Sequence, residues 1–215
     1  MNEGSYYLPA DKVSSEIIIK NSRFLSYCTH AATVEHARDF ISEIKKNHPG
    51  AAHHVPAFVI GHGPSTISHC SDNGEPSGTA GKPTLVVLQG SALGDVVLVT
   101  VRYFGGIKLG TGGLVKAYTE SAQEVLKLVR RAIKIPTHNI LIEIPYTFLE
   151  PIRRLIPVHQ GIIDDEEYSE IVVLSCTFPV DTYEDFAVGL TELSSGTIEP
   201  VIVSTNADSI FPVID

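Results

Sequence analysis

The chain has 215 residues, a net charge of −9, 43% hydrophobic and 19% charged residues. That is the composition of a globular protein with enough apolar surface to offset chain entropy, which excludes a chain disordered over most of its length. The acidity also excludes a broad basic face of the kind that grips nucleic acid non-specifically, and makes DNA an unsuitable partner.

The charge is uneven. Residues 1–131 carry 13 Lys/Arg and 11 Asp/Glu, whereas residues 132–215 carry 3 and 14, a net of −11. The N-terminal MNEGSYYLPADK has no basic segment followed by an apolar one, so no signal peptide is expected there. No apolar run reaches the ~18 residues of a membrane span. Three cysteines, Cys28, Cys70 and Cys176, without a CxxC, fit a reducing compartment. A cytoplasmic protein is expected.

Taken in chain order, Ser15–Lys20 and Arg23–Thr29 read as strands. Thr33 caps a helix whose apolar face is Val34, Ala37, Phe40, Ile41 and Ile44, stopped by Pro49-Gly50. His53–Ile60 and Thr66–Cys70 form a hairpin, and a loop rich in glycine, serine and proline covers residues 71–81. A short helix is expected at Pro83–Leu88. Asp95–Phe104 is a nearly continuous apolar run, the signature of a buried strand. After a glycine loop at 105–110, a helix opens at Thr111 and reaches about Arg131.

The second half reads strand Asn139–Pro145, helix Phe148–His159, hairpin Gly161–Tyr168 and Glu170–Phe178, then a helix capped by Asp181 and ended by Gly196, then strand Thr197–Ser204. This βαββαβ order is the split-βαβ, or ferredoxin-like, plan. The boundary is expected near Ile133–Thr137, with Pro136 interrupting the chain. The tail Asn206–Asp215 is expected to be loosely held.

The strongest chemical signal is RYFGGIKLGTGGLVKAY, residues 102–118. Gly105, Gly106, Gly110, Gly112 and Gly113 lie between a buried strand and a helix. Glycine permits sharp turns and close approach to a ligand, yet Gly112 and Gly113 in the first helical turn each cost roughly 1 kcal/mol relative to alanine. A helix N-terminus presents free N–H groups and partial positive charge, which suit an anion. No acidic residue occurs from Val96 to Thr119, while Arg102, Lys108 and Lys116 are cationic. The candidate anion-binding residues are therefore Arg102, Tyr103, Gly105, Gly106, Lys108, Gly110, Thr111, Gly112, Gly113 and Lys116. On residues alone, a tight structural turn with solvated lysines explains the run equally well. The nucleotide patterns GxxxxGK[ST] and GxGxxG and the serine elbow GxSxG are absent.

A second loop, DNGEPSGTAGKP at 72–83, offers Asp72, Glu75, Ser77, Thr79 and Lys82 as a polar rim. His48, His53, His54, His62, His69, Cys70 and Asp72 cluster in sequence but lack zinc-ligand spacing, so neither a metal nor another cofactor is expected.

Together, DNGEPSGTAGKP and VTVRYFGGIKLGTGGLVKAY closely resemble the paired signature of the YigZ/IMPACT family, over roughly Asn21–Leu128. The resemblance implies an α+β chain of two domains. Residues 1–133 would be a ribosomal-protein domain-2-like β-sheet with two helices on one face, and 134–215 the ferredoxin-like domain. It also implies a link to control of translation, as in the family's eukaryotic members. The resulting expectation is a regulatory binding protein that contacts RNA, the ribosome or a translation-regulatory protein through the cationic glycine loop. No catalytic residues are assigned. A nucleotide or phosphometabolite-binding enzyme and a protein–protein adaptor are the alternatives.

Overall fold

The computed structural model of the chain describes residues 6–213. Two compact units divide between Ile133 and Lys134.

In the first unit, β1 (Leu8–Pro9) pairs with the opening residues of a later strand, Arg131 and Ala132. The main sheet contains β2 (Val13–Ile19), β3 (Ser22–His30), β4 (His53–Ile60), β5 (Ile67–Cys70) and β6 (Val96–Tyr103), in the spatial order β2-β3-β6-β4-β5. Every pairing in it is antiparallel. Strand β6 is central and buried almost throughout, which is why its sequence lacks alternation. Its side chains still divide between the faces. Val97, Val99 and Val101 pack with Ala37, Phe40 and Ile44 of α1 (Val34–Asn47). Val96 and Leu98 pack with Leu88 of α2 (Gly81–Gly90) and with Ala122 and Val125 of α3 (Thr111–Lys127). Two helices thus cover one face, as expected, and α1 covers the other.

Local chemistry explains the helix ends. The Thr33 side chain accepts a hydrogen bond from the His36 N–H, capping α1 as its sequence predicts. Helix α3 ends at Lys127, one turn short of the expected Arg131. The chain is already extended from Arg131, where it enters β7 (Arg131–Ile144). Pro136 lies inside that strand and does not interrupt it.

The second unit comprises most of β7, α4 (Tyr146–Val158), β8 (Ile162–Tyr168), β9 (Val172–Pro179), α5 (Val180–Ser194) and β10 (Val201–Pro212). Its strand order, β10-β7-β9-β8, is the ferredoxin-like one. Ile140, Ile142 and Ile144 alternate onto the core face with Leu174, Cys176 and Phe178, against Ile152, Ile156, Phe186 and Leu190 of the helices. Asp181 is not the cap of α5. It sits in the first turn, where its charge still suits the helix dipole, and the N-cap position is Pro179. Nor is the tail loosely held through Pro212. Residues 206–212 belong to β10, which pairs with β7, and Phe211 is buried.

Cys28 and Cys176 are buried, one in each unit, and burial pushes each thiol up to about 12.

Candidate functional site

The two glycine-rich loops belong to the same unit, and one buried ion pair ties them together. Arg102, near the end of β6, shares the sheet face of Val96 and Leu98 and points toward α3. Its Nη1 donates to Glu75 Oε1 at 2.7 Å, and its Nη2 to Ser22 Oγ at 3.4 Å. Tyr118 OH in α3 donates to the same Glu75 oxygen at 2.8 Å. All four residues are buried. His53, opposite Arg102 in the β4–β6 register, holds its Nε2 3.8 Å from Glu75 Oε2. Burial, together with the negative charge of Glu75, pushes the Tyr118 hydroxyl well above its ordinary range and keeps it a donor. The guanidinium carbon also lies over two rings, 5.5 Å from the centroid of Phe24 and 5.6 Å from that of Phe104. A charged pair this buried is held by its geometry, because either partner alone would be a desolvated charge.

The loop at 72–80 spends its polar groups on itself. Asp72 accepts hydrogen bonds from the N–H groups of Gly78, Ala80 and Gly81 at 2.8, 3.0 and 2.8 Å. It therefore caps α2 from eight and nine residues upstream, while Ala80 at the N-cap position offers no side chain for the task. Burial raises the Asp72 carboxyl pKa, but the three donors outweigh it and hold the group below its ordinary value. Thr79 Oγ1 donates to the Pro76 carbonyl at 2.7 Å. Asn73 and Gly74 both have positive φ, and Asn73 Oδ1 accepts from the His54 N–H at 2.8 Å. Ser77 and Lys82 are exposed at the rim.

The loop at 104–110 is built differently. Gly105 is packed so tightly that an added Cβ would lie 2.1 Å from the Asn21 carbonyl carbon. Its N–H donates to Ser22 Oγ at 3.2 Å. Gly106 and Gly110 have φ of +83° and +76°. Gly110 occupies the N-cap position of α3, with no side-chain cap and no acidic residue in the first turn. Lys108, Thr111, Gly112 and Lys116 are exposed, and nothing lies within 4 Å of where a Gly112 Cβ would stand. Gly113 is tighter, 3.1 Å from Leu109 Cβ. Phe104 is 53% exposed and Ile107 is exposed beside it.

The residues expected to form one anion surface therefore separate: Gly105 and Gly106 are built into the turn after β6, and the other eight fall into three groups. Lys108, Gly110, Thr111, Gly112, Gly113 and Lys116 gather at the start of α3. Arg102 faces inward onto Glu75. Tyr103 lies on the opposite, α1, face, where its hydroxyl is 3.0 Å from His48 Nδ1. Ser22 and Phe24 complete the cluster, and no sequence signal marks them. The histidines serve local structure: His54 Nε2 meets the His48 carbonyl at 2.9 Å, and His69 packs on Phe58. Among the described residues, no three His, Cys, Asp or Glu side chains converge to hold a metal, and no helix is long and apolar enough to cross a membrane.

Residues 20–126 match the Impact N-terminal domain, and residues 142–197 match a domain of unknown function, DUF1949. The chain is 41% identical over 194 residues to an IMPACT family member of Haemophilus influenzae, covering 90% of this chain and 94% of that one. It is 37% identical over 197 residues to the IMPACT family member YigZ of Escherichia coli, covering 91% and 96%. It is also similar to a solved structure described as a hypothetical protein, with a TM-score of 0.60 and 36% identity over 94% of this chain and 98% of that one. Both loops described above fall inside the first matched domain, and the similarity extends across both units: the chain belongs to the IMPACT family.

Proposed function

We propose that this protein is a translation-associated binding protein that holds RNA phosphates at the start of α3. The observation that carries the reading is the N-terminus of that helix. It has no side-chain cap and no acid in its first turn, open space over Gly112, and two exposed lysines, Lys108 and Lys116. Free N–H groups, the positive end of the dipole and two cations are mutually unfavourable until an anion joins them. Membership of the IMPACT family supports the link to translation. In this reading Arg102 is a positioning residue. Through Glu75 and Tyr118 it fixes the loop at 72–80 against α3.

An enzymatic reading would need free carboxylates for a magnesium ion. Asp72 and Glu75, the acids of the second loop, are engaged by three backbone N–H groups and by Arg102 with Tyr118. Recognition is therefore favoured over phosphate chemistry.

The test is co-sedimentation with ribosomes and titration with single-stranded RNA over a salt series. The double variant Lys108→Glu/Lys116→Glu should bind more weakly. Its slope of log affinity against log salt should fall by roughly 1.4–2, two phosphate contacts' worth. Wild-type affinity and slope in the variant would remove the proposal.

A further inference from the structure

Three aromatic side chains fall between Arg102 and Tyr118, and the fold uses two of them internally. Tyr118 is buried and bonded to Glu75, and Tyr103 turns to the α1 face and His48. Phe104 is left. It follows directly on β6, two residues after Arg102, and continues onto the α3 side of the sheet. There the Arg102 guanidinium backs its ring, while 53% of the residue stays open to solvent. Its position is fixed from both directions along the chain. Arg102 is anchored by Glu75 and Ser22, and Gly105 is wedged against Asn21 with its N–H on Ser22 Oγ. Ile107 and Val115 are the other large apolar residues left exposed between Val96 and Thr119. The same stretch carries the exposed Lys108 and Lys116 and no acid. Apolar side chains held open beside cations suit a ligand that is apolar in one part and anionic in the next.

The geometry points to Phe104 as a stacking platform for an unpaired base, so that the ligand of this unit is single-stranded RNA. This rests on the reading in which RNA phosphates are held at the start of α3, and adds which form of RNA is taken. A nucleotide with its base turned out has the required chemistry: a flat face for the ring and a phosphate for the lysines. In a duplex the bases are stacked on one another and their faces are closed. A double helix therefore offers phosphates to Lys108 and Lys116 and nothing to Phe104. Every base has a face to stack, so the platform accepts any sequence that leaves its bases unpaired.

The full chain is titrated over a salt series with an unstructured RNA, with an RNA of equal length carrying abasic sites, and with the first RNA annealed to its complement. Wild type should prefer the unpaired RNA to the abasic one by roughly 5- to 150-fold, the range for one stacked base. That comparison needs no mutation. Phe104→Leu should remove the preference, leaving the salt slope and the affinity for duplex as in wild type. Lys108→Glu/Lys116→Glu should lower the slope and leave the preference. The chain contains no Trp, so Phe104→Trp sets a single indole at the platform. It should keep the preference, and unpaired RNA should quench its emission where abasic RNA does not. Equal wild-type affinity for unpaired and abasic RNA overturns the platform; if the lysine variant still binds more weakly, the phosphate site stands without it. A preference that survives Phe104→Leu, or an indole that unpaired RNA leaves unquenched, also overturns it. A preference that depends on Phe104 in a protein indifferent to the lysine changes removes the phosphate site and keeps the platform. Binding to none of the three RNAs removes both.

Discussion

The two glycine-rich loops look alike in sequence and are opposite in chemistry. The loop at 72–80 is closed upon itself: Asp72 answers the N–H groups at the start of α2, and Glu75 answers Arg102 and Tyr118. The loop at 104–110 leads into α3 without any such answer. Both helices begin with glycine nearby and with lysine close to the first turn. A carboxylate supplied from within the chain completes one of them. The other has no side-chain cap and no acid in its first turn. A glycine loop whose polar groups are used internally is a scaffold, and one whose N–H groups are unused is available to a ligand.

The largest expected effect comes from breaking the scaffold at its centre. Glu75→Ala leaves Arg102 as an uncompensated buried charge and should cost about 3–5 kcal/mol in denaturant unfolding. Adding Arg102→Met to it should recover much of the loss, because the double variant has no stranded charge. If the double variant is no more stable than Glu75→Ala, the pair is not the link between the loops.

Gly105→Ala comes next. The new methyl would collide with the backbone of Asn21 and Ser22, which cannot rotate away as a side chain tip could. A loss of roughly 1–3 kcal/mol is expected from such overpacking, read as a lower melting temperature.

Asp72→Ala should cost about 0.5–2 kcal/mol, the range for losing a helix cap. Its pH dependence has a definite sign. The folded-state carboxyl lies below its ordinary value, so the contribution is complete above the usual aspartate range. It is lost as pH falls through the lowered folded value. The stability difference between wild type and Asp72→Ala should therefore shrink in acid and be constant near neutrality.

The smallest effect is the sharpest contrast. Gly112→Ala meets open space, and should stabilise the folded chain by about 0.4–1 kcal/mol while weakening RNA binding if the backbone there approaches a phosphate. Lower stability in Gly112→Ala, or a tolerated Gly105→Ala, would reverse the distinction between the packed start of the loop at 104–110 and the open first turn of α3.

Much of this fold was legible in advance because its signals are local. Thr33 with an acid two residues on, a glycine–proline stop and β-branched runs each act within a few residues. What could not be read is long-range. Glu75 and Arg102 are 27 residues apart, and Ser22 and Arg102 are 80 apart, so their pairing depends on the sheet register. The same blindness left residues 206–212 loose, because their partner β7 lies some seventy residues earlier. Grouping Tyr103 with Arg102 on one surface is a different case, because within the expected strand Asp95–Phe104 consecutive residues already face opposite ways. Asp181 has a capping residue's composition but stands two positions too late, after Pro179 has already set the helix direction.

The buried thiols give the molecule a chemical readout of its own movements. Cys28 sits on β3 in the core of the first unit and Cys176 on β9 in the core of the second, each with its pKa near 12 and hidden from reagents. A thiol in that condition reacts only when its surroundings open. A pulse of alkylating reagent, followed by mass analysis of the two peptides, would therefore time the opening of each half separately within one intact chain.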